Sequence, residues 1–192
     1  MTLTIYYPAV KSVRFHQRIS PAFLTPHSRP PTEKYPPMTS AISKQLESLG
    51  ITLPPVPTPV AAYIPAVIYG QLVQTAGQIP IRDGELMAKG SVPDQVSVAQ
   101  AAACARQCAL NALAAAAHAA GGIDRVVRPL RVGCFVASGP NFTEHPAVAN
   151  GASTVLGEIF GDPGMHARAA VGSPALPLGA PVEVEILFLC EQ

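Results

Sequence analysis

The chain has 192 residues, 48% of them hydrophobic, and a formal net charge of +1, enough for one domain with a sizeable core. The charge is unevenly spread: residues 1–37 hold five basic residues and one acid, and the remainder holds eight basic and eleven acidic ones. Only Lys44 and Lys89 follow residue 37 as lysines, so the body lacks the basic footprint of a nucleic-acid binder, and no apolar run approaches the ~20 residues of a membrane span.

Residues 1–37 carry seven prolines, which break any regular element. They are expected to form a disordered or non-native extension, with a single folded domain over 38–192. Their basic, Ser/Thr-containing composition also suggests a transit peptide. The expected compartment is therefore the cytoplasm, or the mitochondrion if that segment is a targeting signal.

The segment "MTSAISKQLESLG" reads as a helix with Ser40 as N-cap, Ile42, Leu46 and Leu49 on one face, and Gly50 as the stop. A proline-rich extended stretch, "ITLPPVPTPVAA", follows. "AVIYGQLVQTAGQIP" predicts two short strands around Gly70, and Asp83-Gly84 is the strongest hairpin signal in the chain. A long alanine-dominated helix is expected from Asp94 to Ala119, ended by Gly121-Gly122. "VVRPLRVGCFVAS" predicts a strand with Pro129 near its start or at a bulge. "HPAVANGASTVLGEIFG" predicts a second helix with Pro146 in its first turn and Gly161 at its end. "RAAVGS" and "VEVEILFL" are the last strands. The order β-β-α-β-α-β-β argues an α+β domain with helices on one sheet face.

Four cysteines are present, and Cys104 and Cys108 share one face of the long helix. Their spacing is not that of a zinc knuckle, so buried reduced thiols are expected rather than metal ligands. His118, His145 and His166 show no ligand spacing. Phosphate loop, nucleophile elbow and H-E-x-x-H motifs are absent.

In the last strand, period-2 alternation puts Val182, Val184, Ile186 and Phe188 on one face, and Glu183, Glu185, Leu187 and Leu189 on the other. If the preceding strand pairs with it, Arg168 approaches Glu183. Two readings of Arg168 stay open: an internal ion pair with little net stabilisation, or a cation held out to a ligand. Gly77 in "TAGQIP" permits close backbone approach, with the Gln78 amide beside it. Tyr63 is either a core or an interface ring. Asn150 lies within a helix beside Gly151, where its amide is expected to satisfy something buried.

Tyr63, "TAGQIP" with Gln78, a long helix, a strand, "HPAVANGAS" and "HARAAVG…LPLGAPVEVE" together resemble the reactive-intermediate deaminase, or YjgF-like, family. The likeness covers roughly residues 48–190. It implies a chorismate-mutase-like fold: a mixed β-sheet with two helices packed on one face, assembled as a homotrimer with ligand clefts between subunits. It also implies hydrolysis of 2-imino acids and their enamine tautomers to 2-keto acids and ammonia, without metal or organic cofactor. By match, Arg168 is the carboxylate-binding arginine and Glu183 activates water. Tyr63 reaches in from a neighbouring subunit, and Gly77, Gln78, Asn150 and the backbone at Ala170 line the cleft. Departures from the usual pattern are Ala76 for Ser, Ala170 for Cys, and His166-Ala167 for Pro-Ala. The alternatives are a non-catalytic regulatory trimer that binds small carboxylates, and an endoribonuclease-type activity on the same scaffold. Neither a nucleic-acid partner nor a membrane is expected.

Overall fold

A computed structural model of the chain describes residues 41–56 and 63–191. The extension over 1–37 and Ser40 lie outside them. Helix α1 (Ile42–Ser48) buries Ile42 and Leu46, while Leu49 remains 39% exposed. Its N-cap is Ala41, with no side-chain cap of its own. Asp124, far along the chain, takes that role: its carboxylate accepts from the Ser43 backbone N–H at 2.8 Å and from the Ser43 hydroxyl at 2.9 Å. A carboxylate at a helix N-terminus satisfies an orphan donor and complements the dipole. Gly50, at φ +63°, ends the helix.

Strands β1 (Ala66–Tyr69) and β2 (Leu72–Thr75) form a hairpin around Gly70, and β3 (Ile81–Arg82) and β4 (Glu85–Leu86) form a second one across Asp83-Gly84. Both turn residues of the second have positive φ, 55° and 84°, as a type I′ turn requires. The long helix α2 spans Val98–Ala120, starting later than the expected Asp94. Ser97 is the true N-cap: its side chain accepts from the Gln100 N–H, and Gln100 reaches back to the Ser97 N–H. This reciprocal pair outcompetes Asp94 as the start signal.

Strand β5 (Val126–Ala137) carries register shifts on both sides of Pro129, which absorb its missing N–H. Helix α3 (His145–Phe160) then crosses to β6 (Ala167–Ser173), the crossover that a parallel pair needs. Strand β7 (Val182–Cys190) closes the sheet. The sheet order is β1-β2-β7-β5-β6, with β5 and β6 parallel and the other pairs antiparallel. The fold is thus α+β with a mixed sheet, as expected.

The core lies between this sheet and helices α2 and α3. From the sheet come Val73, Val132, Cys134, Val136, Val184, Ile186 and Phe188, all buried. From α2 come Ala101, Ala105, Cys108, Ala112 and Ala116, spaced three and four apart. The methyl groups keep the helix close to its neighbours. A side chain on Gly151 of α3 would coincide with the Ala102 carbonyl of α2, so the two helices touch backbone to backbone there. All four cysteines are free and buried.

Candidate functional site

The two charged residues singled out by the sequence are not neighbours within one chain. Strand β6 pairs with β5, not with β7, so the expected approach of Arg168 to Glu183 does not occur. Arg168 is in register with Val132, and Val132 with Ile186. Both of these partners are buried under the helices, so Arg168 emerges on the helix side. Glu183 is in register with Phe135 and alternates with the buried Val182 and Val184, so it emerges on the opposite side. Glu185 has its own partner: Arg131 reaches it at 3.1 Å. An exposed pair of this kind contributes about 0–1 kcal/mol.

Around Glu183, local structure follows from the way β2 leaves the sheet. The β2–β7 ladder stops at Gln74 and Leu187, and the buried Thr75 hydroxyl accepts the next β7 amide, that of Ile186, at 3.0 Å. The chain rejoins β7 at Gln78, which exchanges backbone hydrogen bonds with Val184 at 2.8 and 2.9 Å. Gly77 lies in the intervening gap. The Glu183 carboxylate fills the space that a Gly77 side chain would take. Half-buried there, Glu183 has its pKa pushed above the ordinary carboxylate value, by burial first and by the Glu185 charge second. The Gln78 side chain folds back to donate to the Ala76 carbonyl at 3.1 Å. A backbone bond from Ala76 to Pro65 at 2.8 Å continues the β1–β2 pairing beyond the hairpin strands, and Tyr63 precedes it, 56% exposed. It is therefore not a core ring.

Arg168 stands on the edge strand β6 against α3. Its Nη1 donates to Asn150 Oδ1 at 2.9 Å and to Ser153 Oγ at 3.0 Å. Asn150 is exposed, so its amide serves the exposed Arg168 guanidinium rather than a buried group, and it orients that guanidinium. Nε and Nη2 of Arg168 have no hydrogen-bond partner among the described residues. Ala170, two residues on, is in register with Cys134 and packs partly against the core. The Cys134 thiol is pushed up to about 12 by burial, an effect the Arg168 charge partly offsets. No cluster of His, Cys, Asp and Glu among the described residues can hold a metal ion.

Ser153 carries no motif signal in the sequence, and His166 shows no ligand spacing there. Yet Ser153 is one helical turn from Asn150, and His166 precedes Arg168 by two residues. Both spacings place side chains on a shared face. A cavity of about 480 Å³ elsewhere is walled by Leu53, Pro55, Ile81, Arg82, Gln107 and Asn111 among others, and includes none of these groups.

Comparison with known proteins matches residues 43–189 to a family described as "YjgF/chorismate mutase-like, putative endoribonuclease". Protein TCP17 of Trypanosoma cruzi is 40% identical over 147 residues, covering 76% of this chain and 92% of that protein. Protein Atu1372 of Agrobacterium tumefaciens superposes with a TM-score of 0.72 at 39% identity, covering 80% of this chain and 96% of its own. A Shewanella oneidensis structure described as a putative endoribonuclease gives 0.74 at 30% identity, covering 78% and 99%. The chain belongs to the YjgF/chorismate mutase-like family.

Proposed function

Starting from that membership, we propose that the protein hydrolyses small 2-imino acids and their enamine tautomers to 2-keto acids and ammonia, in clefts formed between three copies of the chain. The observation that carries this reading is the state of Arg168. One guanidinium nitrogen is held by Asn150 and Ser153, and the other two remain open to a ligand. A guanidinium offers paired donors to a carboxylate in a fixed fork, which suits a small anionic substrate.

The chemistry needs a base for water. Glu183, half-buried and with raised proton affinity, takes a proton from water as the oxygen attacks the C=N carbon. Glu183 returns that proton to the nitrogen of the tetrahedral carbinolamine; as the C–N bond breaks and the carbonyl forms, the Glu183 carboxylate takes the hydroxyl proton and passes it to the departing ammonia. One water is consumed per ammonia released. A protonated imine is already electrophilic, so positioning and a proton relay suffice.

Within one chain, Arg168 and Glu183 lie on opposite faces with β5 between them. A complete site therefore requires a second copy, and exposed apolar groups favour one: Tyr63, Val67, Tyr69 and Val171 are all about half exposed or more. Tyr63 is the ring such a neighbour would contribute. The endoribonuclease alternative draws on the descriptions of the family and of relatives. The acidic balance of the body, with only two lysines after residue 37, tells against phosphate-backbone binding.

The test is an assay in which an amino-acid oxidase generates the imine in place. Wild type is expected to accelerate imine decay, and Arg168→Ala to abolish the effect. No acceleration across small, branched and aromatic imines, together with tight keto-acid binding, would favour the non-catalytic carboxylate-binding reading. RNA cleavage by highly purified protein, lost in Glu183→Ala, would favour the endoribonuclease.

A further inference from the structure

His166 sits at the end of a hydrogen-bond chain whose protons can be assigned in only one way for a neutral ring. Its Nδ1 is 2.6 Å from the Gly164 carbonyl oxygen. A carbonyl only accepts, so Nδ1 carries the hydrogen. The lone pair then lies on Nε2, which is 3.0 Å from Ser153 Oγ, so Ser153 donates its hydroxyl proton to His166. The oxygen lone pairs of Ser153 are left facing Arg168 Nη1, which only donates. Nη1 has two hydrogens. Ser153 takes one and Asn150 Oδ1 the other.

The anchor of this chain is closely packed. Gly164 is buried, and a side chain there would come within 2.7 Å of the Leu156 carbonyl oxygen of α3. The Gly164 backbone therefore lies directly on the helix that also carries Asn150 and Ser153.

We propose that His166, acting through the Ser153 hydroxyl, is a positioning residue that fixes the plane of the Arg168 guanidinium and turns its Nε–Nη2 edge outward. That edge carries two parallel N–H bonds, the geometry that binds a carboxylate in bidentate fashion. The proposal deepens the reading of Arg168 as a carboxylate fork and rests on it for its purpose. The ordering of the guanidinium can be observed without any substrate.

The experiment is nitrogen NMR on the full chain, with Arg168 resonances assigned through Arg168→Lys, combined with equilibrium binding of pyruvate. Wild type is expected to show His166 protonated at Nδ1 and slowly rotating, separate Arg168 Nη signals. Ser153→Ala and His166→Phe are expected to average those signals and to weaken pyruvate about tenfold. The double variant should be no weaker than the worse single, because both act along one chain. His166→Gln, whose amide oxygen can still accept from Ser153, should restore both readouts. An Nε2-protonated His166, averaged Nη signals in wild type, or measurable wild-type pyruvate binding that stays unchanged in both variants would overturn the proposal. Separate Nη signals that His166→Phe collapses, in a wild type with no affinity for pyruvate, would sustain the positioning role and remove the carboxylate reading instead.

Discussion

The Glu183 carboxylate occupies the space above Gly77 where any other residue would place its Cβ. The absence of one methyl group is thus what admits the proposed base to its position. Gly77 does not have the positive φ found at the chain's turn glycines, so alanine is tolerated by the backbone. The displaced neighbour is the free end of a flexible side chain. Gly77→Ala is expected to leave the melting temperature nearly unchanged and to cut kcat for imine hydrolysis by about a hundredfold. Thermal unfolding and the coupled oxidase assay on the same sample separate the two effects. Equal loss of stability and activity would mean that Gly77 serves the fold.

Glu183→Gln tests the electrostatics. A carboxyl whose folded pKa is raised favours the folded state below its unfolded pKa, and that contribution is lost as pH rises through the folded pKa. Ionising Glu183 therefore works against the fold, through burial first and the Glu185 charge second. The glutamine variant is expected to melt about 2 °C higher than wild type at pH 7. The gap should close toward pH 4, and activity should be lost throughout. A variant less stable at pH 7 would show that the carboxylate makes a stabilising contact instead.

The thiols give an independent check on the core. Burial pushes Cys108 far up and Cys190 to about 11, and Cys104 is raised as well. Thiolate is the reactive form. Ellman's reagent at pH 8 is expected to find essentially no reactive thiol in the native protein and all four after denaturation. Rapid reaction of the native protein would place at least one of them outside the core.

Gly151→Ala addresses the helix crossing. Its methyl would meet the Ala102 backbone, which cannot rotate away as a side chain can. The expected loss is about 1–3 kcal/mol, read as a lower midpoint in urea. It should be accompanied by weaker carboxylate binding, because Asn150 moves with the helix.

Much of the fold was legible because local rules and global packing agree. The Asp83-Gly84 turn, the bulge at Pro129 and the alternation of Val182 to Phe188 each follow from one residue's stereochemistry or a period of two. What escaped was non-local. Nothing within a few residues of Ile42 shows that Asp124 caps its helix. Strand order is equally hidden: Arg168 and Glu183 lie fifteen residues apart in sequence, and only the parallel pairing of β6 with β5 separates them. The candidate residues come from the resemblance, as a set of residue types. Their division between two faces depends on topology, which side-chain pattern does not encode. The Ser153–His166 link lay within reach of helical and strand periodicity.

Helix α2 meets the sheet largely through alanines, and an alanine has only one carbon to lose. Deleting it leaves a small void and costs the helix about 1 kcal/mol of glycine's extra backbone freedom, whereas any enlargement must push the packed layers apart. The interior of this protein is therefore asymmetric in its tolerance of change. Serine at these α2 positions is therefore expected to cost far less stability than leucine.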